Sequence, residues 1–203
     1  MGIALLESNH DQPQNLVEIQ QLKLSFMTQS DELYQKLLEL DEDSLKAQLG
    51  IRVQEIARDP TARSASLESL DEALSATPRG GSPDRADVNF GDRYFKQLNV
   101  KTHNLMCGEL FDDQELKAKL LASFKENSDK GVALLAPILA SQFNIALSLA
   151  VIAATLIVKT LCSATSTIAS ATSETICGVW KEKLGDEKDT PDSEGLPVAN
   201  SLA

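Results

Sequence analysis

Apolar residues recur at helical spacing through most of the chain. One such face comprises Leu45, Leu49, Val53 and Ile56. The dipeptide Asp59-Pro60 follows this face and is expected to end the helix, because a proline disfavours helical backbone in the residue before it. Similar patterns predict helices in "SASLESLDEALSA", "FGDRYFKQLNVKTHNLMCG" and "DDQELKAKLLASFKEN". No stretch shows the sustained two-residue alternation of a β-strand, so the pattern predicts an all-α protein.

A second periodicity lies in residues 14–76, which are predicted to form a helical interaction module. Its candidate partner-binding face has apolar residues seven positions apart, with Leu37 at a companion position; it comprises Ile19, Phe26, Leu33, Leu37 and Leu40. Lys23 and Ser30 occupy other companion positions, so the seam is incomplete. The pattern is compatible with a small antiparallel helical bundle and with a self-associating coiled coil.

The composition changes after this module. The stretch "TPRGGSPDRAD" contains two prolines and two adjacent glycines, and it predicts a flexible linker over residues 77–91. A helical region is expected over residues 92–183. Residues 1–13 are expected to be flexible, and the acidic tail over residues 184–203 is expected to be disordered. The chain is therefore predicted to have two helical parts joined by a linker.

The most distinctive pattern is a run of 28 residues, 131–158, without one charged side chain. Such a run passes the length at which a membrane span is considered, but a helix surrounded by other helices can also be apolar on every side. Pro137 and the polar stretch "SQFN" favour a helical hairpin that turns near Asn144 and continues as a long helix from Ile145 through Trp180. A single apolar helix over residues 143–161 is the other arrangement.

A stripe of small polar residues follows the apolar run. On one long helix these residues and Glu174 would line a face that could pack against other helices, line a pore or face water. The candidate membrane or oligomerisation segment lies within residues 131–180. It comprises Ile145, Leu149, Ile152, Leu156, Lys159, Ser163, Thr167, Ser170, Glu174 and Trp180.

Charge and composition exclude several classes of function. The formal net charge of −11 and the scattered Lys and Arg residues argue against a nucleic-acid partner. The acidic residues 40–44, "LDEDS", are expected to cap a helix rather than bind calcium, because the spacing of a calcium loop is missing. His103 and Cys107 are four residues apart, but no second pair of ligands accompanies them, so no metal is predicted. No catalytic or cofactor motif is recognisable, and neither an enzyme nor a cofactor is expected.

Three cysteines, at positions 107, 162 and 177, are too few and too widely spaced for a disulfide framework. They are expected to be free thiols in a reducing compartment, and a cytoplasmic location is expected, with membrane association of the apolar segment. The sequence thus predicts a non-enzymatic, membrane-associated helical protein that binds a protein partner or itself, and also binds lipid. The alternative is a soluble all-α adaptor or complex subunit that buries the apolar helix in its own core or in a partner.

Overall fold

The computed structural model describes residues 30–76, 82–108, 114–126, 128–163 and 173–185. These residues form helices joined by short connections and include no β-strand, which confirms the all-α prediction. The helices are α1 (30–39), α2 (Glu42–Arg58), α3 (Leu67–Ala76), α4 (Arg85–Cys107), α5 (Gln114–Glu126), α6 (Ser128–Gln142), α7 (Leu147–Cys162) and α8 (Ser173–Gly185), with a 3₁₀ turn over Pro60–Ser64 between α2 and α3.

Aspartate side chains begin two of the helices. The Asp41 carboxylate accepts a hydrogen bond of 2.8 Å from the backbone N–H of Ser44, and the Asp84 carboxylate accepts one of 2.7 Å from the backbone N–H of Ala86. Each bond satisfies an amide that the helix itself leaves without a partner. The hydrogen bond from Ser44 also lowers the pKa of the Asp41 carboxyl. The predicted capping role of residues 40–44 is therefore confirmed, as is the end of α2 before Asp59.

Helix α4 begins earlier than the linker prediction allows. The linker was expected over residues 77–91, of which 77–81 lie outside the described residues, but the chain is helical from Arg85 onward. Gly91 is buried, and a Cβ atom at this position would overlap the backbone carbonyl of Lys46 on α2. The glycine at position 91 therefore belongs to a helix–helix contact, and the predicted boundary at residue 92 is too late.

Helix α7 forms the centre of the core. It packs against α6 along its length and against α2, α4, α5 and α8 on its other sides, while α2 packs closely on α4. Buried residues from the first part of the chain, such as Leu49 and Leu70, belong to the same apolar cluster as Phe95 and Ile152 from the second part. The two parts expected from the sequence therefore share one hydrophobic core.

Candidate functional site

The charge-free run folds as a helical hairpin. Helix α6 ends at Gln142, the chain turns through Asn144 in a left-handed conformation (φ 48°), and α7 begins at Leu147. The backbone N–H of Ile145 donates a hydrogen bond of 3.2 Å to the carbonyl of Ala140, and the guanidinium of Arg63 donates to the carbonyl of Asn144. Asparagine tolerates the left-handed region better than most residues. The hairpin prediction with its turn near Asn144 is thus confirmed.

The interior helix of this hairpin is buried on every side over residues 148–158. Three of its predicted site residues, Leu149, Ile152 and Leu156, are 4%, 0% and 1% exposed. Thr155 is also buried, and its hydroxyl donates a hydrogen bond of 2.9 Å to the carbonyl of Val151, so it places no unsatisfied donor in the core. Helix α7 therefore supplies the protein's own core. Ile145 lies in the turn and is half-buried.

The expected continuous helix from Ile145 through Trp180 is not confirmed, because α7 ends at Cys162. Its 16 residues rise about 24 Å, against the roughly 30 Å of a bilayer's hydrocarbon core. Within the described ranges, no helix combines the length and the apolar character that crossing a membrane would require.

Lys159 is the first charged residue after the run, and it connects α7 to α1. Its ammonium group donates hydrogen bonds of 2.7 Å to the carbonyl of Leu38 and 2.6 Å to the carbonyl of Leu40, at the end of α1. Carbonyl groups at the end of a helix have no partner within that helix and carry partial negative charge, so a cation is favourable there. The sequence indicated a charge at the end of an apolar segment; the structure shows that this charge caps another helix.

The predicted partner-binding face is used within the protein. Leu33 and Leu37 on α1 are 3% and 0% exposed, and Leu40 is half-buried against the same apolar cluster. Ile19 and Phe26 lie outside the described residues. In this conformation, the described part of the face packs in the core rather than presenting itself to a partner.

The predicted polar stripe is only partly described. Ser163 is the exposed C-cap of α7, and its hydroxyl donates a hydrogen bond of 2.8 Å to the carbonyl of Thr160. Thr167 and Ser170 lie outside the described residues. Glu174 lies near the start of α8, but its side chain is outside the described part of the structure. The use of this stripe as one helical face stays a prediction.

A contact between α4 and α8 contains Trp180, which the sequence placed in the membrane or oligomerisation segment, together with Asn99 and His103 of α4. The indole N–H of Trp180 donates a hydrogen bond of 2.8 Å to the side-chain oxygen of Asn99, and both residues are 1% exposed. The ring of His103 meets the edge of the Trp180 ring, with ring centroids 5.7 Å apart. Cys107 and Cys177 form a disulfide next to them. Trp180 is therefore a core residue, and no sequence pattern indicated this arrangement directly.

The expectation of three free thiols is wrong for Cys107 and Cys177. Their Cα atoms lie 5.7 Å apart across the helix contact, within the range of a disulfide, although 70 positions separate them in sequence. Asn99, His103 and Cys107 follow one another at intervals of four on α4, so one helical face presents all three. That spacing was the available signal, but it did not identify the partner on α8.

The outer surface of the hairpin is exposed, and from Gly131 onward it carries no charge. Leu134 on α6 is 36% exposed and Leu147 at the start of α7 is 41% exposed, while Pro137 and Ser141 are also exposed on α6. We call these four residues the hairpin face. Val100, 43% exposed on α4, is the other large exposed apolar residue in the described part of the chain.

Neither chemistry nor resemblance identifies an active site. Among the described residues, no group of three or more His, Cys, Asp or Glu side chains is arranged to hold a metal ion. Comparison of the chain with protein-family models, with curated proteins and with solved structures finds no match. The arrangement that remains is an apolar hairpin whose inner helix, α7, is buried against helices that include α4 and α8, and whose outer residues from Gly131 onward are uncharged.

Proposed function

We propose that this chain is a non-enzymatic interaction protein, an adaptor or complex subunit that uses its apolar hairpin as its own core. The observation that supports this proposal is the burial of α7 among helices from both parts of the chain. An apolar helix with this cover needs neither lipid nor a partner to shield it from water. The proposal thus favours the second of the two functions that the sequence suggests.

The hairpin face is the contact surface in this proposal, and a second copy of the chain is the occupant. Each copy carries a formal net charge of −11, so two copies repel one another over most approaches. Repulsion is lower where both surfaces lack charge, and the run from Gly131 to Val158 has none. Leu134 and Leu147 would supply the apolar area for such a contact.

Light scattering of the full-length chain at low and high salt tests this assignment. We expect self-association that strengthens with salt, because salt screens the repulsion between acidic copies. Leu134→Glu should weaken the association, whereas Val100→Glu, which adds the same charge at an exposed apolar residue of another helix, should leave it intact. A chain that stays monomeric at every concentration, or equal effects of the two substitutions, would contradict the second-copy assignment.

The second candidate function is that of a membrane effector, in which the hairpin leaves its cover and enters lipid. The observation that favours it is the charge-free run itself, since residues 131–158, which include the hairpin turn and most of both helices, lack the ionised groups that oppose insertion. Flotation with neutral phosphatidylcholine vesicles, followed by alkaline carbonate extraction, separates the two candidates. Protein that floats and resists extraction supports the membrane effector; protein that remains in the aqueous fraction as a folded species supports the adaptor.

A further inference from the structure

Helix α8 is attached to the rest of the protein by a covalent bond and by one apolar face. Ile176, Trp180 and Leu184 recur at intervals of four on this helix and are 0%, 1% and 8% exposed. They lie against α4, α5 and α7, whereas Gly178 on the same helix is exposed and a Cβ atom there would meet nothing within 4 Å. Helix α8 is therefore a one-sided cover over the core.

The disulfide lies at the edge of this cover. Cys107 and Cys177 are both half-buried, in contrast to the neighbouring Met106 and Ile176, which are fully buried. Cys107 is the last residue of α4, where the helix ends at Gly108. The disulfide therefore joins two residues that are not fully enclosed by the core, and a disulfide near solvent is more readily reduced than a buried one.

We propose that Cys107–Cys177 is a reversible redox latch that holds α8 over the core in its oxidised form and permits α8 to open in its reduced form. The inference rests on the geometry of the α4–α8 contact, and it stands independently of the proposed function.

The chemical step is thiol–disulfide exchange with a thiol reductant such as glutathione. A glutathione thiolate attacks one sulfur of the pair, forms a mixed disulfide with it and releases the other cysteine as a thiolate, which takes up a proton. A second glutathione thiolate then attacks the glutathione sulfur of the mixed disulfide. The protein gains two electrons and two protons as two thiols, and the two glutathione molecules leave as oxidised glutathione.

Without the disulfide, only non-covalent contacts hold α8 against α4, although the polypeptide chain still connects α8 to α7. The hydrogen bond from the Trp180 indole to Asn99 and the ring contact with His103 both cross the same boundary as the disulfide. In the oxidised state the bond fixes Cys177 next to Cys107, so this contact re-forms at once after any fluctuation. In the reduced state, α8 can separate from α4 and expose its apolar face together with the surface that it covers on α4 and α7.

The experiment uses the full-length chain in buffers of defined reduced-to-oxidised glutathione ratio. Trp180 is the only tryptophan in the chain, so tryptophan fluorescence comes from this residue alone. The fraction of disulfide is read by thiol alkylation, the environment of Trp180 by its fluorescence, and opening by hydrogen exchange. We expect reduction within the range of these buffers and a shift of the Trp180 emission to longer wavelength. Exchange in residues 173–185 should accelerate by up to about 10³-fold, the scale of the loop constraint that a disulfide of this span imposes. Exchange in α7 should stay slow.

Two variants serve as controls for this experiment, and three results would overturn the proposal. The double variant Cys107→Ser/Cys177→Ser should resemble the reduced protein in either buffer, and Cys162→Ser, which leaves the disulfide intact, should respond as the wild type does. A disulfide that survives excess reduced glutathione in the folded protein would overturn the proposal and leave a structural cross-link. Reduction without any change in Trp180 fluorescence or in exchange of α8 would also overturn it, as would reduction that unfolds α7 along with α8.

Discussion

Gly50 on α2 and Gly91 on α4 lie opposite one another where the two helices cross. A Cβ atom on Gly91 would lie 2.9 Å from the backbone N of Gly50, and one on Gly50 would lie 3.1 Å from the backbone N of Gly91. The Cβ atom on Gly91 would also overlap the backbone carbonyl of Lys46 on α2, and the one on Gly50 would overlap the backbone carbonyl of Asp87 on α4. The pair lets the two helix backbones approach more closely than any other residues would allow.

The first prediction concerns this crossing. Gly91→Ala should destabilise the protein by about 3 kcal/mol, at the upper end of the usual range for overpacking, because its methyl group meets backbone rather than a side chain that could move aside. Urea denaturation measures the change. Gly178→Ala is the control: its methyl group has open space, and alanine in a helix should stabilise by about 0.5–1 kcal/mol. Equal stability of Gly91→Ala and wild type would show that the helices do not cross at this distance.

The second prediction tests the cap that Lys159 places on α1. Lys159→Met keeps the apolar length of the side chain but removes both hydrogen bonds to the end of α1, and it should cost about 1.5–3 kcal/mol of folding free energy. Lys130→Met removes an exposed lysine near the start of α6 and should change stability by less than about 0.5 kcal/mol. Thermal unfolding followed by circular dichroism compares the two. Similar unfolding temperatures for both variants would argue against the cap.

The third prediction is a dependence on pH that arises from Asp92. This carboxylate lies 2.7 Å from the Lys46 ammonium and 3.0 Å from that of Lys96, and its side chain is 24% exposed. Burial raises the pKa of Asp92, but the hydrogen bonds from the two lysines outweigh it and hold the pKa below its usual 3.8. Because the pKa of Asp92 is lower in the folded state, its ionised carboxylate contributes stability that is fully present above pH 3.8. This contribution is lost as the pH falls through the pKa of Asp92 in the folded protein.

Asp92→Asn should therefore destabilise the protein by about 1 kcal/mol at pH 7, and its difference from wild type should shrink as the pH falls below 4. Denaturant unfolding from pH 7 to pH 2.5 measures the difference. Glu72→Gln removes an exposed carboxylate of α3 and should give a small difference, within about 0.5 kcal/mol at pH 7. If the Asp92→Asn difference stayed constant down to pH 2.5, the ion pairs would not be its source.

The fourth prediction distinguishes the interior of the hairpin from its outer face. Ile152→Ala leaves a cavity at a side chain that is fully buried, and it should cost about 2–5 kcal/mol. Leu134→Ala removes an apolar side chain with the same number of carbon atoms from the exposed face and should cost less than about 1 kcal/mol. Both variants are compared by denaturant unfolding in detergent-free buffer. A greater loss of stability for Leu134→Ala than for Ile152→Ala would mean that Leu134, and not Ile152, faces the core.

The helical class and several helix ends could be predicted from the sequence because local signals determine them. Asp41 caps α2, Asp59-Pro60 follows its last turn, and the turn of the hairpin lies at Asn144, as the pattern indicated. Residues a few positions apart in the chain decide each of these features, so no knowledge of distant contacts is needed. Burial of the core-facing residues of α2 and α4 follows from the same periodicity.

The contacts between distant elements could not be predicted in this way. A glycine in a run of polar residues is compatible with a flexible linker, and only the neighbouring α2 makes Gly91 a packing residue. Lys159 looked like the end of a membrane segment because its acceptors lie about 120 positions away. The pairing of Cys107 with Cys177 depends likewise on how α8 docks on α4. Each of these roles belongs to a pair of elements rather than to one sequence pattern.

The most direct test of the account is native-state hydrogen exchange of the full-length chain in detergent-free buffer. If the hairpin is the protein's own core, the amides of α7 from Leu149 to Val158 should be among the slowest to exchange and should open only when the whole protein unfolds. Rapid exchange of these amides in the folded protein would contradict the account, and so would protection that appears only after lipid or detergent is added.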